Sequence, residues 1–89
     1  MTESNQELQS AVPAPRYDHE LDTCGLNCPL PILRTKKALA GLTSGELLRV
    51  MATDPGAIRD FHAFARQTGH EMVHFHSQDG VFDFYLRKR

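Results

Sequence analysis

The sequence holds only two cysteines, Cys24 and Cys28, too few to staple a small fold through a disulfide framework. That scarcity fits a reducing compartment, so the expected location is cytoplasmic, with both thiols reduced. No apolar run approaches the roughly 20 residues needed to cross a bilayer, so no membrane span is expected. The opening Met1–Glu7 has neither a basic start nor an apolar stretch, which speaks against a secretory signal. A strong charge of one sign is also missing. Ten Lys and Arg face eleven Asp and Glu, a net charge of −1, which argues against a dedicated nucleic-acid binder. What is present is one domain's length, 89 residues, at 40% apolar composition, enough for one small globular core.

The charge is unevenly spread. Residues 1–22 carry one base, Arg16, against five acids, whereas residues 23–89 carry nine bases against six acids. A mildly basic body behind an acidic lead-in suits an acidic protein surface or a small anionic group better than DNA. Residues 1–16 are polar, with Pro13 and Pro15 and no hydrophobic period, and read as a flexible tail before a single domain over residues 17–89.

Tyr17–Cys24 alternates as a strand does. Cys28-Pro29-Leu30-Pro31 opens a helix to about Leu42, with Ile32, Thr35, Leu39 and Leu42 on its buried stripe and Leu30, Arg34, Lys37 and Gly41 on its exposed one. Lys36 falls between apolar neighbours and must snorkel or find an acid. Glu46–Ala52 reads as a second strand. Asp54 then caps a second helix with Pro55 at its first position, an apolar face of Ala57, Ile58, Phe61, Phe64, Ala65 and Thr68, and Gly69 as its stop. Glu71–His76 and Val81–Arg87 are strands joined by Ser77–Gly80, with Phe82, Phe84 and Leu86 facing inward. The order β-α-β-α-β-β implies an α/β (α+β) two-layer sandwich: a mixed four-stranded sheet with two helices on one face.

The chemistry gathers at Cys28. As N-cap of the first helix it would sit beside unpaired backbone N–H groups, and since Pro29 and Pro31 have none, those of Cys28 and Leu30 would be the free ones. The positive end of the helix dipole would favour a thiolate, or an anionic sulfur one bond further out. Cysteine is also a poor N-cap by ordinary preference, so an idle buried thiol is the weaker reading of this position. No Cys-x-x-Cys is present at the helix start, since Pro31 stands in the second place. A positioned sulfur without turnover machinery suits a group carrier that accepts and releases sulfur at a sulfur–sulfur bond.

Leu21-Asp22-Thr23-Cys24-Gly25-Leu26-Asn27-Cys28-Pro29-Leu30-Pro31 resembles the signature of the TusA-like (SirA-like) sulfur-carrier family, whose hallmark is Cys-Pro-x-Pro at the start of the first helix. The likeness spans about residues 17–89, through Lys36, Lys37, Gly45, Asp54-Pro55, Asp60, Gly69-His70 and Arg87-Lys88-Arg89. It implies the same sandwich and a persulfide on Cys28, held by a stoichiometric sulfurtransferase-type carrier rather than a stand-alone enzyme. It also implies a persulfide donor (a cysteine desulfurase or rhodanese-type protein) and an acceptor protein. Family members serve tRNA thiolation, molybdenum-cofactor assembly or dissimilatory sulfur oxidation. No cofactor or metal is implied, and the chain is expected to act as a monomer without contacting nucleic acid.

In this reading Pro29, Leu30 and Pro31 form the helix start, and Arg34, Lys36 and Lys37 supply partner docking and positive potential. Cys24, a departure from the family pattern, is a possible second thiol. His74 and His76 share a strand face near His70, but ligand spacing for a metal is missing, and solvated histidines are the better reading. Two alternatives stay open: an interaction or regulatory module with a structural Cys28, and a Cys24/Cys28 thiol-redox switch.

Overall fold

The computed structural model describes residues 13–89; the first twelve residues of the expected tail lie outside the described residues, and residues 13–17 take no regular structure. Six elements follow: β1 (His19–Asp22), α1 (Leu30–Ala40), β2 (Leu47–Ala52), α2 (Gly56–Thr68), β3 (Glu71–Gln78) and β4 (Val81–Arg87). The sheet order is β1-β2-β4-β3, with β1 and β2 parallel and β4 antiparallel to both its neighbours. The expected two-layer sandwich is therefore the observed fold.

Both helices cover one face because the inward residues of the sheet are apolar there. Leu48, Val50 and Ala52 of β2 and Phe84 and Leu86 of β4 are sealed under Leu39 of α1 and Ala57, Phe61 and Phe64 of α2. Phe61 stacks flat on Phe84, centroids 4.2 Å apart and planes 7° from parallel. Phe82 faces inward as expected but is only half-buried, packed against the edge of this core. The other face carries a polar cluster that alternation does not reveal. Arg49 bonds Asp83 at 3.1 Å and lies over the Tyr17 ring, while His74 meets Tyr85 edge-on.

Element ends differ from the sequence expectation for local reasons. β1 stops at Asp22 rather than Cys24 because Asp22 Oδ1 accepts the Cys24 N–H at 2.9 Å and turns the chain. β3 runs on to Gln78, since Ser77 and Gln78 pair with Phe82 and Val81. The hairpin turn is thus only Asp79-Gly80, both at positive φ (54° and 79°), the pair that suits a tight two-residue hairpin. A bulge between Met72 and His74 also shifts the β3 register.

The C-terminal basic residues close both helices. Lys88 Nζ donates to the Leu39 carbonyl at 2.8 Å and an Arg89 guanidinium N–H to the Thr68 carbonyl at 2.9 Å, satisfying orphan acceptors at the negative helix ends. Gly69, left-handed at φ 85°, ends α2 as expected, and a side chain there would run into Arg89.

Candidate functional site

The loop from Thr23 to Pro29 is braced by the chain it crosses. Thr23 gives both its N–H and its hydroxyl to the Met51 carbonyl, at 2.8 and 2.6 Å. Gly25, at φ 85°, gives its N–H to Thr53 Oγ1 at 2.8 Å. Cys28 N–H then donates to Asp54 Oδ2 at 3.0 Å, which ties the loop to the segment before α2. Loop and helix-start positions far apart in sequence are thereby locked together, and Cys28 is exposed at the tip.

This geometry corrects the expectation on two points, the helix starts and the charge at the sulfur. Cys28 is not the N-cap: α1 begins at Leu30, with Pro29 before it and Pro31 in its first turn. The two N–H groups expected to be free are taken, that of Leu30 by the Asn27 carbonyl at 2.8 Å and that of Cys28 by Asp54. Likewise, Asp54 makes no side-chain cap on α2, because its carboxylate reaches the Cys28 loop instead; its backbone carbonyl accepts the Ala57 N–H.

The second correction concerns charge. The Cys28 thiol donates to Asp60 Oδ2 at 3.1 Å. That hydrogen bond is the largest cause holding the thiol above its ordinary pKa; desolvation and the charges of Asp60 and Asp54 add to it, while Arg59 pulls the other way. A carboxylate that accepts from S–H favours the protonated form. The expected thiolate preference is therefore reversed. In the sequence Asp60 stands out only within the family likeness and carries no signal of a role, because its contact with Cys28 joins residues 32 apart and no local spacing marks it.

Beside the sulfur lies a cleft of about 320 Å³ between α1 and α2, lined by Cys28, Pro29, Ile32, Lys36, Asp60, Ala63, Phe64 and Gln67. Lys36 belongs to this cleft and needs no buried acid. Leu33, an apolar residue three positions before it on the helix, is 50% exposed. Pro31 is buried beneath the site. Leu30, Arg34 and Lys37 form the exposed row expected of them, outside the cleft. The structure thus brings together Cys28, Pro29 and Lys36 with the unforeseen Asp60, and leaves Arg34 and Lys37 on the flank.

Cys24 is exposed but differently surrounded. Burial, Asp22 and Asp83 raise its pKa, and none of these acids is among those acting on Cys28. The histidines are engaged separately. His70 Nδ1 accepts the Arg89 N–H at 3.0 Å, His74 packs on Tyr85, and the His76 ring pairs with Gln78 Oε1 at 3.2 Å. Among the described residues no group of three or more His, Cys, Asp or Glu is placed to hold a metal, and no helix is long and apolar enough to cross a membrane.

Comparison with known proteins points the same way as this geometry. Residues 19–88 match the family model described as Sulfurtransferase TusA. The sulfur carrier protein TusA of Allochromatium vinosum is 54% identical over 72 residues, covering 81% of this chain and 95% of that protein. The sulfur carrier protein TusA of Pseudomonas syringae is 40% identical over 72 residues, covering 81% and 86% respectively. The crystal structure of a SirA-like protein from Desulfitobacterium hafniense superposes with a TM-score of 0.71 at 26% identity, covering 79% of this chain and 96% of that one.

Proposed function

The chain belongs to the TusA sulfurtransferase family, and from that premise we propose that it carries sulfane sulfur as a persulfide on Cys28, receiving it from one protein and passing it to another. The observation that carries this reading is the exposed Cys28 sulfur on a loop pinned at Met51, Thr53 and Asp54, at the mouth of the α1–α2 cleft. An exposed, braced sulfur can meet a second protein's active site without the carrier unfolding. The donor is a cysteine desulfurase or rhodanese-type protein. The acceptor belongs to tRNA thiolation, molybdenum-cofactor assembly or dissimilatory sulfur oxidation. The chain turns over no substrate alone and works in the cytoplasm as a monomer.

The direct test is to incubate the protein with a small sulfane-sulfur donor and weigh it. A gain of one sulfur atom, removed by reductant, is expected. Cys24→Ser is expected to keep most of that gain, because Cys24 shares no acidic neighbour with Cys28. A loss in Cys24→Ser as complete as that of a Cys28 variant would favour the dithiol switch instead.

Docking is assigned to the row beside the sulfur. Leu30 is 42% exposed, and Arg34 and Lys37 follow it at helical spacing on the solvent side of α1. An apolar contact next to two bases suits an acidic partner surface, with the charges steering encounter more than tightness. Arg34→Glu with Lys37→Glu is expected to load normally from the small donor and to accept sulfur several-fold more slowly from a protein donor. Raised salt should slow the unaltered protein in the same way. Equal rates of protein-to-protein transfer in the double variant and its parent would remove the docking role.

A further inference from the structure

An exposed thiol meets many electrophiles besides its donor, and Cys28 is exposed. The groups facing its sulfur come from three elements. Asp60 and Arg59 stand on α2, Asp54 stands just before α2, and Lys36 lies across the cleft on α1. Among the described residues Asp60 is the hydrogen-bond partner of the sulfur, with Oδ2 3.1 Å from Sγ. Its position is fixed from behind, since the next residue, Phe61, is fully buried against Phe84. The sulfur is fixed from its own side by the bond from Cys28 N–H to Asp54. The backbone on both sides of the contact is therefore held in place.

We propose that Asp60 is a positioning residue that locks the empty carrier in its thiol form, keeping Cys28 a poor nucleophile until a persulfide donor engages it. This rests on the carrier reading of Cys28. The exchange it restrains is balanced without any oxidant. The Cys28 thiol loses its proton, and its sulfur attacks the outer sulfur of a donor persulfide, R–S–SH. The donor's S–S bond breaks, and R–S⁻ leaves and takes up the proton. The products are R–SH and Cys28–S–SH, with no net oxidation. Once loaded, Sγ carries no hydrogen and cannot donate to Asp60, so this hydrogen bond belongs to the empty state alone. The lock therefore quiets the carrier when it has no cargo, which is when a stray electrophile or oxidant would do harm.

The experiment uses the full chain with Cys24→Ser as parent, so that Cys28 is the only thiol. Iodoacetamide alkylation and the ultraviolet absorbance of the thiolate are followed from neutral to alkaline pH in the parent, in Asp60→Asn and in Asp60→Glu. Asp60→Asn removes the negative charge, so its titration is expected to move to lower pH. A fall of one unit raises the thiolate fraction at neutral pH about tenfold. The alkylation rate then rises about threefold, because a less basic thiolate is intrinsically less nucleophilic. Asp60→Glu, which keeps the charge, should stay nearer the parent than Asn does. An Asn profile that overlays the parent, or moves to higher pH, overturns the lock. A merely structural role for Asp60 would lower thermal stability without moving the titration. Offering the parent a low-molecular-mass persulfide separates the two ideas. If the parent gains one sulfur and the Asn profile is unmoved, the lock alone fails. If the profile moves and the parent takes up nothing, the lock holds for the thiol and the carrier reading fails.

Discussion

Cys28→Ser, incubated with a sulfane-sulfur donor and weighed intact, is expected to gain no sulfur that a reductant removes, whereas the unaltered protein gains one atom. The size of this effect follows from the chemistry. A hydroxyl cannot form the sulfur–sulfur bond that stores the cargo, so the loss is complete rather than graded. The substitution leaves the scaffold alone. Cys28 is exposed, and its backbone N–H to Asp54 does not depend on the side chain. A serine hydroxyl can donate to Asp60 as the thiol does, so the variant should fold and melt like its parent. Cys24 is expected to give no rescue, since Cys28 lines the α1–α2 cleft and Cys24 does not. Sulfur taken up by Cys28→Ser to the same extent as the parent would show that the cargo sits elsewhere.

Much of this site was legible in the sequence, and the limit of that legibility has a physical cause. Patterns that repeat along one element were read correctly. The apolar face of α2 and the inward Phe84 and Leu86 of β4 lie where periodicity put them. So does the exposed row of Leu30, Arg34 and Lys37. The signal that picked out Cys28 was also local, being a cysteine between Asn27 and Pro29. What was misread depended on contacts between distant segments. Asp54 looks like a helix cap by its own neighbours, yet its carboxylate is claimed by a loop 26 residues earlier. Cys28 looks like a thiolate site by the helix dipole, yet the facing carboxylate of Asp60 outweighs it. Local spacing could not have ranked those two effects, because one side of each contact comes from a different element. The polar cluster of Tyr17, Arg49 and Asp83 was missed for the same reason, since three separate strands or their flanks contribute to it.

Phe61→Ala should be the most damaging single change to the fold, with consequences at the site. Phe61 is fully buried and stacked on Phe84, and it is the inward anchor of α2 between Ala57 and Phe64. Truncating a buried Phe costs about 3–5 kcal/mol, because the lost burial is compounded by a cavity that the packed surroundings only partly refill. A domain of this size has roughly 5–10 kcal/mol in total, so the variant keeps only part of its stability. At about 4–8 °C per kcal/mol for a small domain, the thermal midpoint should fall by roughly 12–40 °C. Leu33→Ala is the comparison that isolates burial. Leu33 is also a large apolar residue on a helix, but it is half exposed, and its loss should move the midpoint by no more than a few degrees. Calorimetry on the two variants decides the matter, and a similar midpoint for both would mean that the stacked pair does not anchor α2. The functional corollary follows from adjacency, since Asp60 precedes Phe61 on the same turn. Phe61→Leu, which keeps an apolar group there at lower cost, should stay folded at ambient temperature while loosening the Asp60–Cys28 contact. Its Cys28 alkylation should then rise toward that of Asp60→Asn, and a rate unchanged from the parent would show that Asp60 is held by its own surroundings and not by the packing behind it.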